Sequence, residues 1–269
     1  MMLKFNAITN FAREVSHITY TTYTTNQIAA LVGIHVNTVR FYEKIGFISK
    51  PERQQNGYRI YTALHLEHCR LIRVAMKAEV LQNGLRKKAV EVIRLCASQE
   101  YDKAITASNE YSTMIHREIS SAKAAIATVE ALLGNRAVRE NTSLGRKDAA
   151  DLLGVTTETL RTWERSGLIS VAKRKNGYRV YSDADMQRLN IIKTLRCANY
   201  SLSAILRLMH GLDSHSDKTV ETLLNVPKPD EDIISVCDRL ILSLRSTESE
   251  ADEVTNMLKT IKAKYSTIQ

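Results

Sequence analysis

Apolar residues recur along this chain in steps of three and four, and the pattern dominates two long stretches. Positions 101, 105, 108, 112, 115, 119, 122, 126, 129 and 133 read Tyr, Ile, Ser, Ser, Ile, Ile, Ala, Ile, Val and Leu. Positions 233, 237, 240, 244, 247, 251, 254, 258 and 261 read Ile, Cys, Leu, Leu, Thr, Ala, Val, Leu and Ile. Alternating steps of this kind mark coiled-coil seams and predict long helices over 100–133 and 231–264. Ser108, Ser112 and Thr247 weaken the seams locally. Two shorter helices are predicted at Gln27 to Leu31 and Val36 to Lys44, with a turn at Gly33 and a stop at Gly46. Between Phe47 and Tyr61, β-favouring runs flank Asn56-Gly57 and predict a hairpin closed by a type I′ turn.

The same series of elements occurs twice. Gly33, Arg40, Glu43 and Gly46 recur 121 positions later as Gly154, Arg161, Glu164 and Gly167. Asn56-Gly-Tyr-Arg-Ile-Tyr61 recurs 120 positions later as Asn176-Gly-Tyr-Arg-Val-Tyr181. Matching in both order and spacing makes this an internal duplication. Each copy reads as a helix-turn-helix followed by a two-stranded wing. In such a unit the N-terminal residues of the second helix enter the DNA major groove. That places Val36, Asn37 and Thr38, and in the second copy Thr157, Glu158 and Thr159, where base edges are read. The wing tips carry Arg53, Gln54, Gln55 and Arg59 in one copy and Lys173, Arg174, Lys175 and Arg179 in the other, long donors suited to phosphate. Glu43 and Glu164 are unsuited to phosphate and are expected to hold Arg59 and Arg179. Tyr61 and Tyr181 are expected in the core.

Charge supports the duplication. The chain has 269 residues, enough for about two domains, and a net charge of +9. Residues 24–95 hold 12 Lys+Arg against 5 Asp+Glu, and residues 142–210 hold 12 against 6. The excess positive charge therefore lies on the two copies, as expected if each meets a polyanion. Only 10 Gly and 3 Pro punctuate the chain, which favours a mainly α fold. No stretch approaches the roughly 18 apolar residues of a membrane span. Met1 to Thr22 lacks the hydrophobic run of a signal peptide, so the expected location is cytoplasmic. The 4 Cys are far apart and are expected to be reduced and mostly buried. His65 and His68 are expected to be surface histidines. With no metal-ligand spacing, phosphate loop or nucleophile elbow, neither a metal, a cofactor nor an enzymatic activity is expected.

Thr38-Val-Arg-Phe-Tyr-Glu-Lys-Ile-Gly-Phe-Ile48 with Asn56 to Tyr61 resembles the winged-helix signature of MerR-type transcription regulators, and Thr159-Leu-Arg-Thr-Trp-Glu-Arg-Ser-Gly-Leu-Ile169 with Asn176 to Tyr181 resembles it too. The resemblance spans about residues 22–95 and 142–210. It implies a regulator that grips promoter DNA with two winged helices, distorts an overlong spacer and works with RNA polymerase. Carried over by residue, Arg40, Tyr42, Tyr58 and Arg59, and likewise Arg161, Trp163, Tyr178 and Arg179, are expected to serve DNA-backbone contact and docking. Thr162 stands where the first copy has Phe41, a departure from the family's pattern.

MerR-type proteins dimerise through an antiparallel helix pair, and this chain carries both helices. The organisation expected is an N-terminal extension (1–23), a first winged helix-turn-helix domain (24–95), a long helix (100–133), a second winged domain (142–210), a linker (211–230) and a second long helix (231–264). The two long helices would form an antiparallel coiled coil within one chain, making an intrachain pseudo-dimer with two unlike half-sites. A homodimer with four winged helices is the rival arrangement. An excisionase-like or architectural DNA-bending protein, or a protein-interaction scaffold, are the alternative functions. The segment 211–230, with Pro227 and Pro229, is expected to be a flexible or regulatory insertion. Cys96 and Cys237 are expected near the starts of the long helices.

Overall fold

In a computed structural model, residues 21–77, 84–134, 143–174, 177–214, 216–226 and 239–265 are described. Lys175, Cys237, Pro227, Pro229 and most of the expected N-terminal extension lie outside them. The protein is mainly helical, and the chain divides into two units. The first gathers residues up to 77, 87–110 and those from 250 on, and the second gathers 78–86 and 111–249.

The first unit begins with β1 (Thr22–Tyr23), α1 (Thr25–Val32) and α2 (Val36–Lys44). Thr24 caps α1 in a reciprocal box with Gln27, satisfying two amides that a helix start leaves unpaired. Gly33, at φ +70°, ends it in the left-handed conformation that only glycine adopts without strain. Strands β2 (Glu52–Arg53) and β3 (Arg59–Thr62) form the hairpin. The antiparallel sheet order is β1-β3-β2, with Tyr23 opposite Tyr61 and Arg53 opposite Arg59. The third strand thus comes from residues expected in the N-terminal extension.

The hairpin turn differs from expectation. Gly57 N–H donates to Gln54 O, and Gln54 N–H donates to Tyr58 O, each at 2.8 Å, and only Gly57 has a positive φ, +85°. A type I′ turn needs positive φ at both central residues. This is instead a three-residue loop with a bulge at Gly57, and Asn56 serves by accepting from Tyr58 N–H. The second copy has the same two backbone bonds, Gly177 N–H to Arg174 O and Arg174 N–H to Tyr178 O.

Helices α3 (Ala63–Ala75), α4 (Leu85–Ala97), the start of α5 (Tyr101–Gly134) and the end of a last helix, Leu240–Tyr265, complete the first unit. Its core joins Ile28, Val39, Ile48, Tyr61, Leu71 and Ile72 to Ile93, Ala104, Leu258 and Ile261. Each fully buried aliphatic side chain contributes about 1.5–3 kcal/mol. Here α5 and the last helix run in opposite directions: Lys262 Nζ meets Asp102 at 2.5 Å, and Ser108 Oγ meets Thr255 Oγ1 at 2.8 Å. Ser108, read as a weak point of the seam, is therefore buried and bonded.

The second unit repeats the plan with α6 (Arg146–Leu153), α7 (Thr157–Arg165), α8 (Asp183–Cys197) and α9 (Leu202–Asp213), followed by α10 (Val220–Asn225) and the start of α11 (Leu240–Tyr265). Its wing is reduced to single bridges, Lys173 with Arg179 and Leu144 with Tyr181. Within this unit α5 and α11 meet through His116 Nδ1 and Glu248 at 2.9 Å. Thr247 is buried, with its hydroxyl donating to Ser243 O. Leu133, the last position of the first seam, is exposed.

Residues 220–225, expected in a flexible insertion, form helix α10 instead. Val220 and Leu224 are buried, and the Arg207 guanidinium donates to Leu223 O and Leu224 O, carbonyls that the helix end leaves unpaired. Asn225 then accepts from Ile241 N–H, tying α10 to α11.

His65 and His68 are buried in α3 rather than at the surface, with the Tyr61 ring against His65 and the Tyr101 ring near His68. His65 Nδ1 accepts from Thr62 N–H at 3.0 Å, capping α3, and Nε2 meets Ser49 Oγ at 3.1 Å. His68 is 1% exposed, stands 6.4 Å from the Tyr101 ring, and has no hydrogen-bond partner among the described residues. Cys69 and Cys96 are buried, their thiols pushed up to about 12 by burial. Cys96 lies in the last turn of α4, shortly before the long helix α5 starts at Tyr101. Cys197 is exposed.

Burial, aided by the neighbouring His65, pushes His68 down to about 4. A folded value below the usual 6.5 means that the unfolded chain binds the extra proton first, so stability is full above pH 6.5 and is lost as pH falls toward 4. Urea denaturation is expected to show about 3 kcal/mol lost between pH 7 and pH 4 from this residue. His68→Leu is expected to flatten that slope, and an unchanged slope in the variant contradicts the assignment.

Candidate nucleic-acid interface

Each copy presents one exposed face built from the first turn of its second helix and the tip of its wing. Helix α2 starts at His35, whose Nδ1 accepts from Asn37 N–H at 3.2 Å, and α7 starts at Thr156, whose hydroxyl accepts from Thr159 N–H at 3.1 Å. These caps leave Asn37 and Arg40 exposed on α2, with Val36 and Thr38 half-buried beside them. Glu158 and Arg161 are likewise exposed on α7, beside half-buried Thr157 and Thr159. Arg40 Nη1 lies 3.4 Å from Asn37 Oδ1, and Arg161 Nη1 lies 3.0 Å from Glu158 Oε2. Arg165 Nη2 meets the other Glu158 oxygen at 2.5 Å.

At the wing tips, Tyr58 and Tyr178 are 72% and 73% exposed. Arg53, Lys173 and Arg174 are exposed around them. Arg53 donates to Gly57 O, and Arg174 donates to Ser143 Oγ. Beside the second wing an open groove is lined by Ser143, Arg146, Asp148, Arg174, Tyr178 and Arg179.

The wing is fastened to the helix as expected. Arg59 Nε donates to Glu43 at 2.5 Å, and Arg179 Nε donates to Glu164 at 2.8 Å. The second copy adds to this pair. Arg146 donates to both Glu164 oxygens, and the Tyr181 hydroxyl donates to Oε1 at 2.6 Å. Burial pushes the Glu164 carboxyl up, but the bonds from Tyr181, Arg179 and Arg146 together hold it below the usual carboxylate range. Position 25, the counterpart of Arg146, is threonine, so the first copy has no such second cation.

Tyr61 and Tyr181 lie in the core, as expected. Trp163 does too: at 6% exposure it packs inside its module rather than at the outer face where it was expected with Arg161. The helix period explains this, since Trp163 lies three residues after buried Leu160 on one side of α7. Tyr42 is half-buried against Phe47, with ring centroids 6.2 Å apart, and burial raises its phenol. Phe41 is exposed, so Thr162 at its counterpart removes no core contact.

One pair of structural cations escaped the sequence reading. Arg73 Nη1 donates to Val32 O and Gly33 O, and Lys193 Nζ donates to Leu153 O at 2.5 Å. Both reach the carbonyl end of the first helix from equivalent points in the third, so these charges serve the fold. Their spacing of 120 was the available signal. Among the described residues, no group of three or more His, Cys, Asp or Glu is placed to hold a metal ion, and no helix is long and apolar enough to cross a membrane.

Residues 146–212 match the family described as MerR HTH family regulatory protein, and residues 24–61 match that described as MerR family regulatory protein. The chain carries two MerR-type modules in tandem. It is 40% identical over 63 residues to a probable heavy metal-dependent transcriptional regulator of Haemophilus influenzae, covering 23% of this chain and 49% of that protein. The mercuric resistance operon regulatory protein of Bacillus cereus is 29% identical over 115 residues, covering 40% of this chain and 86% of the relative. The HTH-type transcriptional regulator AdhR of Bacillus subtilis is 38% identical over 78 residues, covering 29% and 55%. The chain thus spans about half the length of the first and third of these relatives. No solved structure is significantly similar to it.

The two MerR-type modules differ at the carboxylate behind the wing. Glu164→Gln weakens three charge-assisted contacts and Glu43→Gln weakens one. Urea denaturation is expected to show a loss of about 3 kcal/mol for the first and about 1.5 kcal/mol for the second. Equal losses would contradict the difference between the networks.

Proposed function

We propose that this chain is a DNA-binding transcriptional regulator that grips one promoter with two non-identical winged helix-turn-helix modules and distorts the spacer between its half-sites. The reading is carried by one observation: the exposed helix start and the exposed cationic wing tip recur in both modules of a single chain. The family matches and the names of the relatives support it. On this reading Val36, Asn37, Thr38, Thr157, Glu158 and Thr159 face base edges. Arg40, Arg53, Tyr58, Arg59, Arg161, Lys173, Arg174, Lys175, Tyr178 and Arg179 serve the phosphate backbone. Trp163 is withdrawn to the core, and Tyr42 supports the helix from behind. The long helices form the antiparallel coiled coil of an intrachain pseudo-dimer, supported by the opposed run of α5 and α11 in the first unit. RNA polymerase is the partner that a promoter-bound regulator meets.

The heavy-metal and mercuric roles of the relatives are not carried over.

Sedimentation of the protein with a promoter fragment is expected to give one chain per site. Two chains per site would overturn the pseudo-dimer. Log affinity is expected to fall linearly with log salt, and Arg53→Ala with Lys173→Ala is expected to reduce the slope by about 2. A salt-independent response would favour the interaction scaffold.

A further inference from the structure

The two recognition helices are not interchangeable at their first turn. Asn37 and Glu158 occupy the same place in the repeat, 121 positions apart, and both are exposed. An amide offers both a donor and an acceptor, whereas an ionised carboxylate only accepts. A carboxylate facing a polyanion is unfavourable unless its charge is compensated and its lone pairs are used. The compensation is present. Arg161 donates to one Glu158 oxygen at 3.0 Å and Arg165 to the other at 2.5 Å. Each oxygen thus has one donor, and because a carboxylate has about four acceptor sites, lone pairs remain for a donor from outside the protein.

Only adenine and cytosine offer a donor in the major groove. Adenine sets its amino group beside the N7 acceptor and so suits an amide bidentately, while N7 repels the second oxygen of a carboxylate. Cytosine offers its N4 amino group without a neighbouring acceptor, and guanine offers acceptors alone. We propose that Glu158 makes the second module a reader of cytosine at the base pair where the first module, through Asn37, reads adenine. The inference rests on the DNA-binding reading above. Arg161 and Arg165 act as positioning residues: they aim the carboxylate and offset its repulsion from the phosphates.

The test is selection of bound duplexes from a library randomised over both half-sites, using the full-length chain. The unaltered protein is expected to enrich cytosine at one position of one half-site and adenine at the matching position of the other. Glu158→Asn, which installs the residue tolerated at the equivalent place in α2, is expected to switch the cytosine to adenine with at least a tenfold change in relative affinity. Asn37→Glu is expected to produce the reverse change in the other half-site. Glu158→Gln, nearly identical in shape but able to donate, is expected to switch the preference as Glu158→Asn does. Saturable binding by the variants with base preferences unchanged at both positions overturns the inference while leaving the DNA-binding reading intact. Failure of the unaltered chain to select any duplex overturns that reading and the inference with it.

Discussion

The wing of each module is held against its second helix by a carboxylate that is itself withdrawn from solvent. Glu43 and Glu164 sit near the ends of the second helices, and each holds an arginine from the returning strand of the wing. A two-stranded hairpin on its own is marginal in water. Together with the buried Tyr61 and Tyr181 on the same strands, that ion pair fixes the tip, with its tyrosine and cations, relative to the helix that starts the exposed face. Geometry on one side of the module is thereby coupled to the other by charge-assisted bonds, from one donor at Glu43 and from three at Glu164. The same logic recurs behind the turn, where Arg73 and Lys193 fasten the carbonyl end of the first helix to the third. Of the basic residues in each module, some offer charge to the outside and others fix where that charge stands.

The duplication has been elaborated unequally. The first module has a third strand, Thr22–Tyr23, and a histidine in the cap of its third helix. The second uses Ser182 and Asp185 for the same cap, and surrounds Glu164 with three donors. Polar groups are satisfied in different ways at matching positions, while the apolar positions are kept alike: Ile28 and Ala149, Val39 and Leu160, Tyr61 and Tyr181 are all buried. Burial constrains size and shape, whereas a cap requires only an acceptor within reach.

That distinction also explains what was legible in the sequence. Periodicity located the helices, and the seam residues Ile115, Ala122, Val129, Leu244, Val254 and Leu258 are buried. Repetition located the glycines and the wing. Periodicity carries no information about what covers a polar residue. His65 and His68 face the apolar side of α3, so another layer buries them. Trp163 resembles a surface residue by analogy with Tyr42, yet its position after Leu160 turns it inward. The small helix at 220–225 depends on Arg207, 13 or more positions earlier in the chain, which no local pattern reveals. The turn at Gly57 needed the φ of its neighbour, which the dipeptide Asn-Gly leaves open.

The buried bond between Ser108 and Thr255 has a meaning beyond its small energy. An entirely apolar seam accepts many partners and many offsets, because one aliphatic contact substitutes for another. The Thr255 hydroxyl also donates to Ala251 O, so sliding either helix gives up the bond across the seam, worth about 0.5–1.5 kcal/mol, while the local one is kept. The pair therefore favours the one alignment of α5 and α11 that sets Ser108 opposite Thr255.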